Sequence, residues 1–174
     1  MAVDKLRLEK IAGKKNVIDD ETTLKQFSQD QSFAAPRRPD VVVYVDTVEQ
    51  IQQIVKLANE TLTPVVPFSS GLTLRGAAIA DQGGIILNMS RMNKIIEIDQ
   101  ENLFAIVEPG VTYKQLQDEL TPKGFKVMVP FGTPAGRSVL TSYLERDPVM
   151  AASCFEDGNF LIMDTEIVLP NGEL

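Results

Sequence analysis

The sequence contains no histidine, and this absence excludes several kinds of active site. Its 174 residues also include no tryptophan and a single cysteine, Cys154. Without histidine the chain has neither a Ser-His-Asp triad nor a histidine-ligated zinc. One cysteine allows neither an internal disulfide nor a metal site built from several cysteines, so we expect no bound metal.

Long apolar segments and an excess of basic charge are missing as well. No stretch approaches the roughly 18 apolar residues that span a membrane, and the N-terminal sequence MAVDKLRLEK has no apolar signal core. We therefore expect no membrane span and a cytoplasmic location. The formal net charge is −7, from 17 basic and 24 acidic residues. Because an acidic surface repels phosphate backbones, we expect no nucleic-acid partner.

The first part of the chain predicts a β-α-β unit after a helical lead-in. Residues 1–35 favour helices, with Asp19-Asp20 as a turn and helix start. The β-branched run 41–45 is typical of a buried strand. Thr47 and Gln50 form a capping-box pattern, in which the Thr47 hydroxyl accepts from the Gln50 amide and the Gln50 side chain reaches back to Thr47.

The helix after Thr47 has one apolar stripe, and a short strand at 64–67 follows it. This arrangement predicts a right-handed crossover. The residues of the stripe are Val48, Ile51, Val55, Ala58 and Leu62, with Ile54 widening it.

The rest of the chain predicts a second group of elements, separated by turn signals. A second capping-box pattern begins at Thr112. The expected elements are strands at 84–88, 94–99, 103–108, 125–129 and 161–169, helices from 112 to 122 or 124 and over 139–146, and a turn at 170–172.

The loop from Phe68 to Gly76 is a candidate anion site. It follows a strand, and its small residues let a ligand approach backbone amides that turn toward one point. The loop matches neither the dinucleotide fingerprint nor the P-loop. A plain connection between two strands is the alternative, which spacing alone favours. Hydroxyls at Ser69, Ser70 and Thr73 and the charge of Arg75 would add to the amides.

The turn Glu108–Val111 is a second candidate. A strand that ends in Pro109-Gly110 and enters a capped helix leaves amides at the helix N-terminus, and such amides bind phosphate. The alternative is an ordinary connection between strand and helix. The turn taken by itself favours this alternative over an anion site.

The order of six motifs resembles a known family. The motifs are 39–43, 47–51, 64–76, 83–99, 107–111 and 166–172. In this order they resemble the FAD-binding domain of the FAD-linked oxidases, the family of glycolate oxidase flavin subunits, D-lactate dehydrogenases and vanillyl-alcohol oxidase. The resemblance runs from about Leu6 to the last residue, with a gap near 132–158.

The resemblance implies an α+β fold, a two-lobed FAD-binding domain with a β-α-β N-terminal lobe and a mixed-sheet second lobe. A single domain over 1–174 would contain the lead-in (1–35), a first lobe (36–95) and a second lobe (96–174). We expect the second lobe to be truncated and the substrate cap domain of the family to be absent.

The resemblance also implies FAD, which some members of the family bind covalently through cysteine or histidine. We expect non-covalent FAD, because the chain has no histidine and Cys154 lies in no motif associated with a covalent link. The loop would wrap the pyrophosphate through its amides, the turn and the strand at 166–169 would lie near the adenosine, and Ser138 would lie near the flavin ring. No catalytic residue is assigned. The expected cofactor-binding residues are Pro67, Phe68, Ser69, Ser70, Gly71, Leu72, Thr73, Gly76, Glu108, Pro109, Gly110, Val111, Ser138 and Ile167.

The sequence departs from the family pattern in three ways within the segments that are expected to bind the cofactor. Ser69 and Ser70 replace family glycines, and a serine held at positive φ would cost on the order of 1 kcal/mol. Leu72 removes a hydroxyl. Leu140-Thr141 replaces a glycine pair after Ser138, so we expect added bulk near the flavin ring.

The implied function is that of a flavin-dependent oxidoreductase. Its expected substrate is a small 2-hydroxy acid of the glycolate or D-lactate class, with hydride transfer to the flavin N5. Without the cap domain, we expect no turnover from this chain alone. One alternative is a non-catalytic relative that has lost FAD and serves as a binding module. Another is a flavin-carrying electron-transfer subunit with an electron-acceptor or iron–sulfur partner protein. We expect Cys154 to be a free thiol.

Overall fold

The chain divides into two compact units in a computed structural model that describes residues 3–151, 154–157 and 161–174. The first unit comprises Met1–Arg91 and Glu166–Leu174, and the second comprises Met92–Thr165. These units differ from the expected lobes, because the C-terminal residues return to the first unit. The side-chain amides of Gln52 and Asn59 bind the carbonyls of Gly172 and Pro170 there.

A four-stranded mixed sheet is the centre of the first unit. Its strands β1 (Val17–Ile18), β2 (Val41–Tyr44), β3 (Val65–Phe68) and β4 (Ile85–Asn88) lie in the order β1-β2-β4-β3. Strands β2, β4 and β3 are parallel, and β1 is antiparallel to β2. The central strand β4 is buried along its whole length, which explains its continuous apolar sequence. The mixed sheet that the structure describes thus lies in the first unit, whereas the expectation placed one in the second lobe.

Three helices complete the first unit: α1 (Lys5–Ala12), α2 (Glu21–Gln26) and α3 (Val48–Thr61), with a 3₁₀ turn at Lys14–Asn16. The helix start at Asp20 is confirmed, since its carboxylate accepts from the Thr23 amide at 3.0 Å. Helix α3 joins the parallel strands β2 and β3, which confirms the β-α-β unit. The handedness of its crossover stays a prediction.

Helix α3 departs from the expected stripe at its C-terminus. Leu62 is the C-cap in a left-handed conformation (φ 51°) and is 73% exposed, so it has left the helical period. The buried positions are Ile51, Ile54, Leu57 and Ala58. At the other end the Thr47 hydroxyl accepts from the Gln50 amide as expected, but the Gln50 side chain accepts from the Asp46 amide rather than that of Thr47.

The described strands of the second unit form antiparallel pairs. Strands β5 (Ile95–Asp99) and β6 (Phe104–Val107) form the expected hairpin, and β7 (Pro148–Ala151) pairs with β8 (Cys154–Asp157). The helices are α4 (Tyr113–Leu120), followed by a 3₁₀ turn at Thr121–Lys123, and α5 (Val139–Leu144). The capping box of α4 is confirmed in both directions between Thr112 and Gln115.

Two expected strands, 125–129 and 161–169, form no strand pairing with any residue that the structure describes. In the first, the Gln117 side chain takes the place of a neighbouring strand: its amide donates to the Phe125 carbonyl and accepts from the Val127 amide, both at 3.1 Å. In the second, Leu161 and Ile162 pack on the core of the second unit, whereas the residues from Glu166 onward belong to the first. Apolar alternation alone does not distinguish such segments from strands.

Each unit has its own apolar core. No described helix is long and apolar enough to cross a membrane. A core cluster of the first unit contains Leu24, Val42, Ala80 and Ile86, and that of the second contains Val111, Tyr113, Leu116, Leu120, Val139 and Tyr143.

We predict that Gly84→Ala destabilises the protein much more than Gly124→Ala. Both glycines have φ near +80°, but a Cβ at Gly84 would lie 2.2 Å from the Pro64 carbonyl oxygen, while one at Gly124 has nothing within 4 Å. The shared backbone penalty is about 1 kcal/mol, and the overlap adds on the order of 2 kcal/mol at Gly84. Urea unfolding of both variants measures the difference, and equal losses would contradict the close packing of β3 on β4.

Candidate functional site

The candidate loop begins at the carboxyl edge of the parallel strands. Phe68 ends β3 in register with Asn88 of β4, and Asn88 in turn is in register with Tyr44 of β2. Ligands of parallel sheets bind at this edge, beyond the strand ends. The loop therefore starts where the fold favours a binding site.

Several amides of this loop donate to no acceptor in the part of the chain that the structure describes. Among the residues that the structure describes, none accepts a hydrogen bond from the amides of Gly71, Leu72 or Gly76. The Arg75 amide donates to the Thr73 hydroxyl at 3.2 Å. A buried or half-buried amide normally has a partner, so these donors fit an anionic ligand such as a diphosphate. Their convergence on one point stays a prediction.

Gly71 is fixed in the loop by the ring of Phe68. It has φ +66°, and a Cβ there would lie 2.4 Å from a ring carbon of Phe68. That ring packs edge-on against Phe27, with centroids 4.8 Å apart, and contacts the core cluster of the first unit. The backbone at Gly71 thus requires glycine and is tied to the core.

The two serines of the loop are not strained. Neither Ser69 nor Ser70 has a positive φ, whereas Gly71 and Gly76 do. The expected strain from serine in place of the family glycines is therefore wrong, because the chain keeps glycine at the loop positions with left-handed backbone. Small polar side chains at 69 and 70 are compatible with this loop conformation.

The segment 30–34 lies against the loop, a contact that the sequence did not predict. The Gln31 amide donates to the Thr73 carbonyl at 3.2 Å. The Ala34 methyl lies 3.4 Å from the position that a Cβ of Gly76 would take. Asp30 accepts from the Ser32 amide at 2.8 Å, so a local turn shapes this segment. Its sequence indicates the turn but not the neighbour.

The turn Glu108–Val111 does not offer free amides, which corrects the expectation. The Gly110 amide donates to the Met92 carbonyl at 2.7 Å, and the Val111 amide donates to the Glu108 carbonyl at 3.1 Å. In the first turn of α4, the amides of Tyr113 and Lys114 donate to the carbonyls of Arg137 and Ala135. Protein acceptors therefore occupy this helix N-terminus. A cofactor contact of this turn through other atoms stays a prediction.

Ser138 joins this turn to α5. It is fully buried, and its hydroxyl donates to the Pro109 carbonyl at 2.7 Å while capping α5 through the Thr141 amide. The Val139 amide donates to the Val111 carbonyl. The structure thus brings Pro109, Val111 and Ser138 together in the second unit. Leu140 and Thr141 follow in the first turn of α5, where both are half-buried.

The remaining candidates lie in the first unit. Pro67 and Phe68 end β3, and the loop residues from Ser69 to Gly76 follow. Ile167 is 58% exposed in the returning C-terminal segment and does not belong to a strand. A cofactor contact of Ile167 stays a prediction, and the Cys154 side chain lies outside the part of the chain whose side chains are described.

The sequence did not predict the buried charged group that lies next to Ser138. The Arg137 side chain is 5% exposed and forms ion pairs with Glu145 and Asp147. In the sequence these charges flank a short helix and resemble a solvated surface. The phenols of Tyr113 and Tyr143 lie in the same core, and burial raises the pKa of both, so they stay protonated at neutral pH.

Comparison with known proteins identifies the class of this α+β domain. The family model described as "FAD binding domain" matches residues 39–174, which is most of the chain. The chain therefore belongs to the FAD-binding domain family of the FAD-linked oxidases. The free amides of the loop fit the diphosphate of that cofactor.

Curated relatives include several oxidoreductases. The chain is 40% identical over 103 residues to the flavoprotein subunit of 4-cresol dehydrogenase (hydroxylating) of Pseudomonas putida, covering 58% of this chain and 20% of that protein. It is 29% identical over 166 residues to a probable mitochondrial D-lactate dehydrogenase of Danio rerio, covering 94% and 33%. A glycolate oxidase subunit of Bacillus subtilis is 32% identical over 120 residues, covering 69% and 26%. The chain thus spans about a fifth to a third of these relatives.

Solved structures share the fold. A p-cresol methylhydroxylase with substrate bound gives a TM-score of 0.85 at 29% identity, covering 97% of this chain and 33% of that chain. The 4-ethylphenol oxidase from Gulosibacter chungangensis gives a TM-score of 0.79 at 26% identity, covering 95% and 32%. The expected α+β fold is confirmed.

We predict that Gly71→Ala weakens FAD binding by about tenfold or more, a loss of roughly 1.4 kcal/mol. The added methyl overlaps the Phe68 ring, so either this ring or the loop backbone with its amides must shift. Gly132→Ala is the matched control, since Gly132 also has a positive φ (+71°) but nothing within 4 Å of an added Cβ. FAD titration below the unfolding midpoint of both variants measures the effect. Equal affinity in Gly71→Ala and wild type would show that the loop does not hold the cofactor.

Proposed function

We propose that this chain binds FAD non-covalently and supplies the flavin site of an enzyme that oxidises a small organic molecule. The observation that carries the proposal is the loop after β3, in which Gly71 is held against the core and the amides of Gly71, Leu72 and Gly76 donate to no described residue. A backbone held in place before the ligand arrives binds an anion without reorganising.

The diphosphate would be held by the amides of Gly71, Leu72 and Gly76. The hydroxyls of Ser69, Ser70 and Thr73 lie in the same loop and would add polar contacts. In the second unit, the turn Glu108–Val111 would contact the cofactor through carbonyl or side-chain atoms, since its amides are used within the protein.

When bound, the flavin accepts the hydride that leaves the substrate, and the protein's part is to bind and orient both molecules. Phe68 maintains the loop conformation through its contact with Gly71. Ser138 fixes the first turn of α5, where Leu140 and Thr141 replace the family glycines. These two side chains would limit the space beside the flavin ring.

A 4-alkylphenol is our first choice of substrate class. The similarity to the 4-cresol dehydrogenase subunit reaches 40% identity, and the p-cresol methylhydroxylase fold agrees with a TM-score of 0.85. The 2-hydroxy acid that the sequence predicted is the second candidate, supported by similarity to a D-lactate dehydrogenase and a glycolate oxidase subunit. Substrate contacts would come largely from the part of the enzyme beyond this chain.

A separate protein would receive the electrons. One relative is described as a flavoprotein subunit, which implies at least one further subunit in that assembly. We therefore extend to this enzyme the expectation of an electron-accepting partner protein.

FAD reconstitution tests the proposed function. Purified protein mixed with FAD and then desalted should stay yellow, whereas riboflavin, which lacks the diphosphate, should be lost. Acid precipitation should then release all flavin into the supernatant, because the attachment is non-covalent. A folded protein that retains no FAD would support the non-catalytic relative instead, and flavin that stays in the acid pellet would refute non-covalent binding.

Anaerobic flavin bleaching tests the substrate class in the enzyme that contains this chain. We expect 4-ethylphenol or p-cresol to bleach the flavin, since hydride transfer from the substrate reduces it, and D-lactate and glycolate to leave it oxidised. Bleaching by the hydroxy acids alone would reverse our order of the two classes. The control is dithionite, which reduces any accessible flavin.

A further inference from the structure

A buried cluster of three charged side chains connects the two ends of the short helix α5. The Nη2 atom of Arg137 lies 2.7 Å from Oε2 of Glu145 and 2.8 Å from Oδ2 of Asp147. The side chains are 5%, 15% and 17% exposed, so the cluster is largely shielded from water. The Ser142 hydroxyl donates to the same Asp147 oxygen at 2.7 Å. The charges before and after α5 are thus joined across the helix.

The backbone of Arg137 is part of the contact between α5 and the turn before α4. Its carbonyl accepts from the Tyr113 amide at 3.1 Å, and Thr112 pairs with Ser138 in an isolated antiparallel bridge. The next residue, Ser138, donates to the Pro109 carbonyl. The residue that makes the ion pairs and the residue that holds the turn are therefore neighbours in the chain.

We propose that Arg137 is a positioning residue for the flavin site: its ion pairs with Glu145 and Asp147 fix Ser138, which holds the turn Glu108–Val111 in its binding conformation. This inference rests on the proposed function, because it assigns a consequence for FAD affinity. Arg137 itself need not touch the cofactor. Its guanidinium is committed to two carboxylates of the same unit.

Two substitutions can separate the role of the Arg137 charge from that of its shape. One nitrogen makes both ion pairs, and Nε has no partner among the described residues. Since a lysine ammonium also offers one nitrogen with several donors, Arg137→Lys can keep the cluster. Arg137→Met keeps an unbranched apolar stem but is shorter and uncharged, so Glu145 and Asp147 both lose the guanidinium as a partner.

FAD titration of these variants is the experiment. We expect Arg137→Met to raise the Kd for FAD by about tenfold or more, and Arg137→Lys to stay within about threefold of wild type. Arg7→Met is the matched control, because Arg7 forms an exposed ion pair with Glu60 in the first unit, so its Kd should not change. If Arg137→Met does not fold, Ser142→Ala replaces it in the test. This change removes only the hydrogen bond to Asp147, so its Kd should lie between that of wild type and the tenfold increase expected for Arg137→Met.

A double-variant cycle separates positioning from general stability. Ser138→Ala should raise the Kd for FAD, and adding it to Arg137→Met should cause little further loss, because both changes release the same turn. Variants that lower the unfolding midpoint but keep the wild-type Kd would overturn the inference, as would fully additive losses. Failure of the wild-type protein to bind FAD would instead overturn the proposed function, and this inference with it.

Discussion

The contact of Gly71 with the Phe68 ring ties the candidate phosphate loop to the core of the first unit. A glycine with φ +66° and a ring carbon 2.4 Å from its missing Cβ leaves the backbone no room for a side chain. The ring belongs to a cluster that includes central strands of the sheet. Packing that stabilises the sheet therefore also sets the direction of the amides that follow it. The Phe68 ring thus contributes to the core and also constrains the loop at Gly71.

The two candidate anion sites differ in what their amides already bind. Within the described ranges, the amides of Gly71, Leu72 and Gly76 in the loop after β3 have no acceptor, whereas the helix start after Gly110 has each of its first amides paired with a carbonyl or with the Gln115 side chain. A helix N-terminus attracts an anion only when its donors are available. The distribution of hydrogen-bond partners therefore favours the loop as the phosphate site and gives the turn a different role.

The sequence predicted the elements whose signals lie in neighbouring residues. It did not predict the features that depend on a side chain from another element. The capping box at Thr112 and the β5–β6 hairpin depend on neighbouring residues, and both are confirmed. The segment 125–129 has strand-like alternation, but the Gln117 side chain satisfies its backbone instead of a strand. The buried pairing of Arg137 with Glu145 is likewise invisible in a sequence, because flanking charges usually face solvent.

The sequence left open the alternative that the chain has lost flavin binding. Of the two segments that supported it, only one still supports this alternative. Its first motive was serine at 69 and 70, but neither residue has the positive φ that would have required glycine. Its second motive was bulk at Leu140 and Thr141, which lie in the first turn of a helix capped by Ser138. Because Ser138 also donates to the Pro109 carbonyl, a shift of α5 would disturb that turn. The backbone of the loop thus removes the first motive, and the placement of Leu140 and Thr141 beside a flavin ring stays a prediction.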